Sequence, residues 1–338
     1  MTQRESDRWA AEAARVAAGV GLFRLTDRGL VQIAGADRVR WLDGMLTNDV
    51  VRLGAGPDRS GCYAALLTHQ GRIVSDIHVA LREDTFWLEM SAQAVPGVIE
   101  RLDKHIIADA VTIADIGDTT DWLGVEGPNA TQAIAALAGR EPGLAPDCWT
   151  QVRLAECPIA VARWGTSAGA GYRLLIPAGH REAVATAFRS VAAGYGLVEA
   201  GPEVLEILRI EAGTPRFGAE LDESVLPAEA GLERAISHTK GCYIGQEVVA
   251  RMASRGRTSH RLVGLRFETA AAEVGALVRP ASSPDAKKIG EITSVCLSPS
   301  AGPIALAFVR SAHAAAGSAV RAGGQLAVIS DLPFGPVS

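Results

Sequence analysis

The sequence lacks the cysteine patterns that mark disulfide-rich or zinc-binding proteins. It contains no C-x-x-C pair and no cysteine–histidine spacing of the zinc type. A chain of 338 residues is long enough to bury its cores without disulfides, and its cysteine count is odd. We therefore expect a reducing compartment, by default the cytoplasm, and no metal site. The five cysteines are Cys62, Cys148, Cys157, Cys242 and Cys296.

Other absences limit the partners that the protein can have. The first residues, "MTQRESDRWAAEAARVAAGVGLF", are charged at once and include no long apolar run, so we predict no signal peptide and no membrane span. A formal net charge of -5 argues against a general nucleic-acid surface or a polybasic membrane anchor. No glycine-rich phosphate loop follows a strand, which argues against a Rossmann unit. We expect no direct binding of nucleic acid or of a membrane.

What is present indicates an α+β protein of several domains. The composition, 48% hydrophobic and 21% charged, is that of an ordinary globular chain, and the length predicts two or three domains. Residues 1–19 are typical of a short helical arm. Residues 20–253 alternate strands with helices, which predicts an α+β region. Residues 258–335 contain only short strand candidates separated by glycine, proline and serine, which predicts a small β-barrel or sandwich.

A first candidate site lies in "LRIEAGTPRFG", where Arg209, Glu211 and Arg216 fall close together at the end of a predicted helix. A carboxylate held among arginines stays ionised and can accept paired hydrogen bonds from the edge of an aminopyrimidine-like ring. The alternative is a structural arginine–glutamate network at a domain junction. The spacing alone favours this alternative, because many ion pairs are only structural.

A second candidate site lies in "HTKGCYIGQEVVARMASRGR". Cys242 follows Lys240 and precedes a helix that we predict to begin near Gly245. The positive end of that helix and the lysine would both make the thiol more nucleophilic. The alternative is that Cys242 packs as a small apolar side chain, which is the commoner outcome for a lone cysteine.

Beyond these spacings, the run Lys240–Glu247, "KGCYIGQE", resembles the K-G-C-Y-x-G-Q-E signature of YgfZ-type folate-binding proteins. These proteins belong to the superfamily of the glycine-cleavage T-protein, an aminomethyltransferase. The segments "IAGADRVRWLDGMLTNDV", "RIEAGTPRFGAELDESVLPAEAGL" and "IGEITSVCLSPSAGPIALAFVR" are similar to other parts of the superfamily. The resemblance covers residues 20–335 and implies an α+β fold with a T-protein-like three-domain arrangement around a central folate cavity. Two discontinuous α+β subdomains would precede a small C-terminal β-barrel.

The same resemblance implies roles for individual residues. Glu211 takes the position of the carboxylate that binds the pterin, and Lys240 falls near a basic folate contact. Arg209 and Tyr243 are expected to belong to the same cofactor-binding site. The T-protein has paired aspartates after a glycine in a β-hairpin, one of which serves aminomethyl transfer. Here the matching stretch reads "GRIVSD" and keeps only Asp76.

The resemblance also implies a function. We expect a protein that binds tetrahydrofolate, or a one-carbon derivative of it, and supports the assembly or repair of iron–sulfur clusters, with indirect effects on tRNA modification. Its partners would be iron–sulfur assembly proteins or client iron–sulfur enzymes, and Cys242 would act as a thiolate near the folate. One alternative is a tetrahydrofolate-dependent aminomethyltransferase that uses Asp76. Another is an adaptor that senses folate without catalysis.

Overall fold

Two β-sheets and a closed β-barrel form the framework of the protein. A computed structural model describes residues 3–55, 60–154, 157–167, 169–256, 258–282 and 287–335. Within these ranges, no helix has both the length and the apolar character needed to cross a membrane. In chain order the helices and strands are α1 (Gln3–Ala18), β1 (Val20–Leu25), β2 (Arg28–Ala34), α2 (Arg38–Met45), β3 (Gly61–Leu67), β4 (Ile73–Arg82), β5 (Thr85–Ser91), α3 (Val95–Asp103), β6 (Thr112–Asp115), β7 (Thr120–Glu126), α4 (Ala130–Ala138), β8 (Trp149–Leu154), β9 (Cys157–Ala162), β10 (Gly171–Pro177), α5 (Arg181–Ala192), β11 (Leu197–Ala200), α6 (Pro202–Ala212), α7 (Gln246–Arg255), β12 (His260–Phe267), β13 (Leu277–Pro280), β14 (Gly290–Ser298), β15 (Gly302–Arg310), β16 (Ala319–Ala322) and β17 (Gln325–Ser330).

The chain enters one sheet, leaves it to build a second, and then returns to the first. The six-stranded sheet has the order β11-β1-β7-β10-β9-β8, and the five-stranded sheet has the order β3-β4-β5-β2-β6. β1 pairs in parallel with β11 and antiparallel with β7, so all strands of the second sheet lie between β1 and β7 in the chain. The domain boundaries given above stay a prediction, since strand pairing does not measure independent folding.

The two sheets pack face to face, and their other faces carry helices. Alternation along the strands explains this arrangement, since successive side chains point to opposite faces. In β5, Phe86, Leu88 and Met90 join a buried cluster with α2 and α3, whereas Trp87 and Glu89 point toward the other sheet. Helices α4 and α5 cover the six-stranded sheet in the same way. The polar residues of the inner faces are therefore held between two sheets.

A buried ion pair joins these inner faces. Glu89 accepts hydrogen bonds from Nη1 of Arg173 in β10, 2.5 Å from both carboxylate oxygens, and also from Nε of Arg28 at the start of β2. Burial opposes the ionisation of Glu89, but the two guanidinium groups outweigh it and hold the pKa at about 2. The sheets are thus connected through a carboxylate that stays ionised at neutral pH.

The C-terminal strands close into a six-stranded barrel with the order β12-β15-β14-β13-β16-β17. Side chains that alternate inward along the strands fill its interior, among them Val263, Leu265, Ile292 and Ala307. Ser294, beside an irregularity in the pairing of β14 with β15, accepts a hydrogen bond from Arg209 of α6. The predicted α+β fold with a small C-terminal β-barrel is confirmed.

Candidate functional site

A cleft lies where the two sheets, the α6–α7 connection and the barrel meet. Its large compartment, about 610 Å³, is lined by the segment after α6, by residues from 228 to 238, by α7, by β12 and by the end of β17. Its small compartment, about 320 Å³, is lined by β3, by the connection between β9 and β10, and by residues near 231–234. The compartments share Gly213, Pro215 and Gly231 as a common wall. Volumes of this size are typical of small-molecule sites, and we name the whole feature the central cleft.

Three polar side chains from neighbouring strands share one sheet face beside the small compartment. Asp76 and His78 are two residues apart in β4 and therefore point to the same side, and Tyr63 of β3 is the cross-strand partner of His78. Oη of Tyr63 donates a hydrogen bond to Oδ2 of Asp76 at 3.0 Å. Because Tyr63 lines the small compartment, Asp76 lies one hydrogen bond away from the cleft.

Their surroundings keep the phenol and the imidazole in their neutral forms. Burial, together with the Asp76 carboxylate, raises the pKa of Tyr63 well above its ordinary value. Burial lowers the pKa of His78, although the carboxylate of Asp147 acts against it. The His78 ring stacks on Trp164, with 5.0 Å between the ring centroids. At neutral pH Tyr63 is therefore a hydrogen-bond donor, and His78 packs as an uncharged ring.

Asp147 holds a cation over the Tyr63 ring. It adopts a φ of 64°, in the left-handed region that aspartate tolerates better than most residues. Its two carboxylate oxygens lie 3.1 and 3.3 Å from Nη1 of Arg234, and Oδ1 lies 3.5 Å from Nδ1 of His78, too far for a good hydrogen bond. The Arg234 guanidinium lies 4.4 Å from the Tyr63 ring centroid. Asp147, Arg234 and Tyr63 thus form a connected series that ends at Asp76.

The segment Lys240–Glu247 packs beside the turn between β3 and β4. Gly245 has a φ of 84°, and a Cβ there would lie 2.6 Å from the carbonyl oxygen of Thr68, so this close approach requires glycine. Tyr243, predicted to bind the cofactor, is buried in an apolar core cluster. Cys242 is exposed. The alternative, that Cys242 packs as a small apolar side chain in a core, is therefore wrong.

Lys240, predicted as a folate contact, is buried and contacts other residues of the protein. Only 1% of its side chain is exposed. Its Nζ lies 2.9 Å from a carboxylate oxygen of Asp43. It also donates hydrogen bonds at 2.5, 2.8 and 2.9 Å to the carbonyl oxygens of Asp43, Leu46 and Asn48. These oxygens lie at the C-terminal end of α2 and just after it, where a cation is favoured. The ammonium has no N–H left for a ligand in this arrangement, so Lys240 clamps α2 to the cysteine segment.

We expect a Lys240→Met variant to be less stable than the wild type by about 3 kcal/mol, because it leaves a largely buried carboxylate and three carbonyl groups without their donor. Urea denaturation measures the change. Lys104→Met is the matched control, since Lys104 is 67% exposed and pairs with Glu100 on the surface, where a loss of under about 1 kcal/mol is expected. Equal stability of the two variants would contradict the clamp.

The side chains of Glu211 and Arg209 are taken up by contacts within the protein. The residues are two apart on α6, so their side chains do not face the same way. Glu211 Oε1 accepts hydrogen bonds from the hydroxyls of Ser298, the last residue of β14, and of Ser300, two residues further on. Arg209 is buried, and its guanidinium donates to Glu206, Thr214, Glu220 and Ser294. These contacts are those of a structural network at a junction, and they give no support to the predicted cofactor roles.

Sequence reasoning missed Tyr63, Asp147 and Arg234. The alternation in "GCYAALL" and "IVSDIHVALR" is a signal that could have placed Tyr63 beside Asp76 and His78, had the hairpin register been known. No local signal marks Asp147, which lies in an irregular connection before β8. Arg234 is one of several charged residues in its segment, and nothing in the local sequence distinguishes it from the others. The group is assembled by the fold from segments that are far apart in the chain.

Comparisons with known proteins agree with this architecture. A curated relative, the aminomethyltransferase of Streptomyces avermitilis, is 30% identical over 308 residues, which cover 88% of this chain and 80% of that protein. A putative chloroplastic transferase of Arabidopsis thaliana is 28% identical over 320 residues. The match covers 94% of this chain and 71% of that protein. The crystal structure of the glycine cleavage system aminomethyltransferase T from Bartonella henselae superposes with a TM-score of 0.83 at 23% identity, covering 96% and 89% of the two chains.

The family assignment covers nearly the whole chain. Residues 2–240 match the GCVT N-terminal domain, which includes both sheets and extends to Lys240. Residues 260–334 match the glycine cleavage T-protein C-terminal barrel domain, which coincides with the closed barrel. The chain therefore belongs to the glycine cleavage T-protein family, with its N-terminal domain and its C-terminal barrel both present.

Proposed function

We propose that the protein binds tetrahydrofolate, or a one-carbon derivative of it, in the central cleft and catalyses one-carbon transfer of the aminomethyl type. The observation that carries the proposal is the position of Asp76, whose carboxylate reaches the small compartment through Tyr63. Several relatives bear the name aminomethyltransferase, which supports this reaction class. The resemblance assigns an aspartate of this hairpin to the transfer.

The residues of the cleft fit such a ligand. The large compartment alone falls within the size range of small-molecule sites, and it opens beside the small one, so an elongated molecule can occupy both. The stacked pair of Tyr63 and Arg234 offers a flat polar surface on one side of the small compartment. Gly231 in the shared wall has no side chain, and a Cβ there would lie 4.0 Å from its nearest neighbour, an oxygen of Glu233, so a planar ring can approach closely.

Each residue of the series has a distinct task in this proposal. Tetrahydrofolate, when bound, supplies the nitrogen that accepts the one-carbon unit. Tyr63 stays protonated and, by donating to Oδ2 of Asp76, fixes the orientation of that carboxylate. Asp76 holds the proton of the reacting amine at its other oxygen. Asp147 keeps Arg234 over the Tyr63 ring and so keeps the phenol in place.

Two measurements on the purified protein test the proposal. Calorimetric titration with tetrahydrofolate should show saturable binding to one site per chain. An assay with an aminomethyl-lipoyl carrier protein and tetrahydrofolate should show folate-dependent release of ammonia and of the free dihydrolipoyl carrier. Absence of folate binding by the wild type would overturn the site, and binding without turnover would overturn the reaction.

Support of iron–sulfur cluster assembly or repair, with indirect effects on tRNA modification, is the second candidate function. The observation in its favour is that Cys242, at the centre of the YgfZ-type signature, is exposed and so accessible to an iron–sulfur assembly protein or a client enzyme. One cysteine does not hold a stable cluster, so a partner would have to supply the other ligands. A folate-sensing adaptor would use the same surface without catalysis.

If the second candidate is right, a Cys242→Ser variant should bind tetrahydrofolate as tightly as the wild type but fail to restore an iron–sulfur tRNA-modifying enzyme in a deletion strain. The substitution removes only the thiol from an exposed position, so the fold should be unaffected. Cys157→Ser, at a half-buried cysteine in β9, is the control. Full restoration by Cys242→Ser would exclude a chemical role for the thiol.

A further inference from the structure

The connection between β9 and β10 builds one wall of the small compartment. Gly165, Ser167 and Gly171 line the compartment together with Tyr63, the residue through which Asp76 reaches the cleft. A Cβ on Gly165 would lie 2.7 Å from the Cα of Gly171, so the chain approaches itself closely here and requires glycine. The shape of the small compartment therefore depends on how this connection is held.

A single buried carboxylate holds the connection in place. Glu126 is the last residue of β7 and is only 2% exposed. Its Oε1 accepts a hydrogen bond from the backbone N–H of Thr166 at 2.8 Å. Its Oε2 accepts two from Ser167, from the backbone N–H at 3.2 Å and from the hydroxyl at 2.6 Å. A Cβ on Gly171 would overlap with Oε2, so the carboxylate fits directly against the connection. Both oxygens of Glu126 are thus occupied by donors from the wall.

The same connection is joined to the common wall of the two compartments. The hydroxyl of Thr214 donates a hydrogen bond at 3.0 Å to the carbonyl oxygen of Thr166. Thr214 lies between Gly213 and Pro215, which line both compartments. A displacement of residues 166 and 167 would therefore be transmitted to the segment where the compartments meet.

The charge of Glu126 does not stabilise the fold at neutral pH. Burial raises the pKa of this carboxyl above its ordinary value of 4.5, and it outweighs the donors of Thr166 and Ser167 and the nearby Arg173 guanidinium. A raised carboxylate pKa gives a stabilisation that is present below pH 4.5 and is lost as the pH rises through the folded pKa. An uncharged side chain would therefore cost less to bury, and what the carboxylate provides is two acceptor oxygens for the wall.

We propose that Glu126 is a positioning residue of the central cleft, which holds residues 165–167 as the wall that the folate contacts beside Tyr63. The proposal rests on the proposed function, because the ligand is the tetrahydrofolate assigned there to the cleft. Glu126 lies behind the wall and acts on the ligand only through Thr166 and Ser167. Its replacement should therefore weaken the binding of folate and leave the chemistry at Asp76 unchanged.

The test begins with a Glu126→Gln variant, whose side chain has nearly the same size but one acceptor oxygen in place of two. It cannot accept from both Thr166 and Ser167. The KM for tetrahydrofolate in aminomethyl transfer should rise about tenfold, the scale of one hydrogen bond to a charged group, with kcat unchanged within about twofold. Calorimetric titration, which needs no turnover, should show the same loss of affinity.

Asp49→Asn is the matched control. The Asp49 side chain is 14% exposed, and its carboxylate also orders a turn through backbone N–H groups, those of Val51 and Arg52. None of these three residues lines the central cleft. The control should therefore bind tetrahydrofolate as the wild type does. Thermal unfolding of every variant checks that it is folded.

Two further measurements separate positioning from a general loss of structure. Ser167→Ala removes one of the three hydrogen bonds at a half-buried residue and should raise the KM by a smaller factor. The double variant should lose no more affinity than Glu126→Gln alone, because both substitutions act on the same contact. Hydrogen exchange of the ligand-free protein measures the wall directly. The amides of Thr166 and Ser167 should exchange faster in Glu126→Gln and at the wild-type rate in Asp49→Asn.

Each outcome decides one point. A raised KM with an unchanged kcat, absent in Asp49→Asn and not increased in the double variant, supports the positioning role. A folded Glu126→Gln with the wild-type KM, a fall in kcat at unchanged KM, or affinity losses that multiply in the double variant each overturn it. If Glu126→Gln does not fold, Ser167→Ala decides, and a wild-type KM in that variant overturns the role.

Failure of the proposed function is visible separately. If the wild type does not bind tetrahydrofolate, the assignment of folate to the cleft fails, and hydrogen exchange then decides on Glu126 alone. Faster exchange confined to Thr166 and Ser167 in Glu126→Gln supports its hold on the wall. Wild-type exchange at both amides overturns it.

Discussion

An Asp76→Asn variant is expected to lose about 10²–10⁴-fold in the rate of aminomethyl transfer, the usual contribution of a positioned general acid or base. Asparagine has nearly the same shape and can still accept the hydrogen bond from Tyr63, so the cleft should keep its form. What it loses is the negative charge and the ability to take a proton from the reacting amine. The rate under folate saturation should therefore fall, while tetrahydrofolate binding by calorimetry should change little.

Two further variants make that result interpretable. Tyr63→Phe keeps the ring under Arg234 but removes the donor to Asp76, and a smaller loss of about tenfold is expected for one hydrogen bond to a charged group. Asp84→Asn, in the turn between β4 and β5 of the same sheet, is the control, because its side chain is fully exposed. Wild-type turnover by Asp76→Asn would contradict the proposed role of Asp76 in aminomethyl transfer. Support of iron–sulfur cluster assembly or repair through Cys242 would then be the stronger candidate function.

The sequence located the family and the architecture, whereas the site residues stay predictions. The resemblance placed Arg209 and Glu211 in one cofactor-binding site, although their spacing alone favoured a structural network. On a helix, residues two apart point in different directions, so Arg209 meets Glu206 and Glu220 while Glu211 meets a serine of the barrel. The partner of each side chain depends on how α6 docks on β14, and no feature of the local sequence encodes that docking.

Lys240 illustrates a second limit. The resemblance places Lys240 near a basic folate contact. The structure directs its charge to carbonyl oxygens that lie almost 200 residues away in the sequence, near the end of α2. The resemblance marks Asp76, whereas the contact between Asp147 and Arg234 depends on tertiary structure alone. The resemblance therefore supplied the groups that we propose to react, and only the fold shows which residues contact them.

The second prediction with a large effect concerns stability, through the buried ion pair of Glu89 with Arg173 and Arg28. A Glu89→Gln variant is expected to be less stable than the wild type by about 3–5 kcal/mol at pH 7, because it leaves two buried guanidinium groups, Arg173 and Arg28, without a counter-charge. Glu182→Gln is the control, since Glu182 is 60% exposed and pairs with surface arginines, where the expected loss is under about 1 kcal/mol. Urea denaturation at pH 7 compares the two.

The pH dependence of stability separates this ion pair from a simple packing defect. The folded pKa of Glu89, about 2, lies below its ordinary value of 4.5. A lowered carboxylate pKa stabilises the folded state above pH 4.5, and that stabilisation is lost as the pH falls from 4.5 towards 2, since the unfolded chain then binds the proton first. Arginine keeps its proton throughout this range, so the carboxylate is the titrating partner.

The wild type should therefore lose about 3 kcal/mol more of its free energy of unfolding than Glu89→Gln between pH 5 and pH 2. Parallel stability curves for the two proteins would show that Glu89 packs without contributing its charge. A steeper wild-type curve would show that the charge of Glu89, directly opposite His78 on the inner face, holds the two sheets together beneath the cleft.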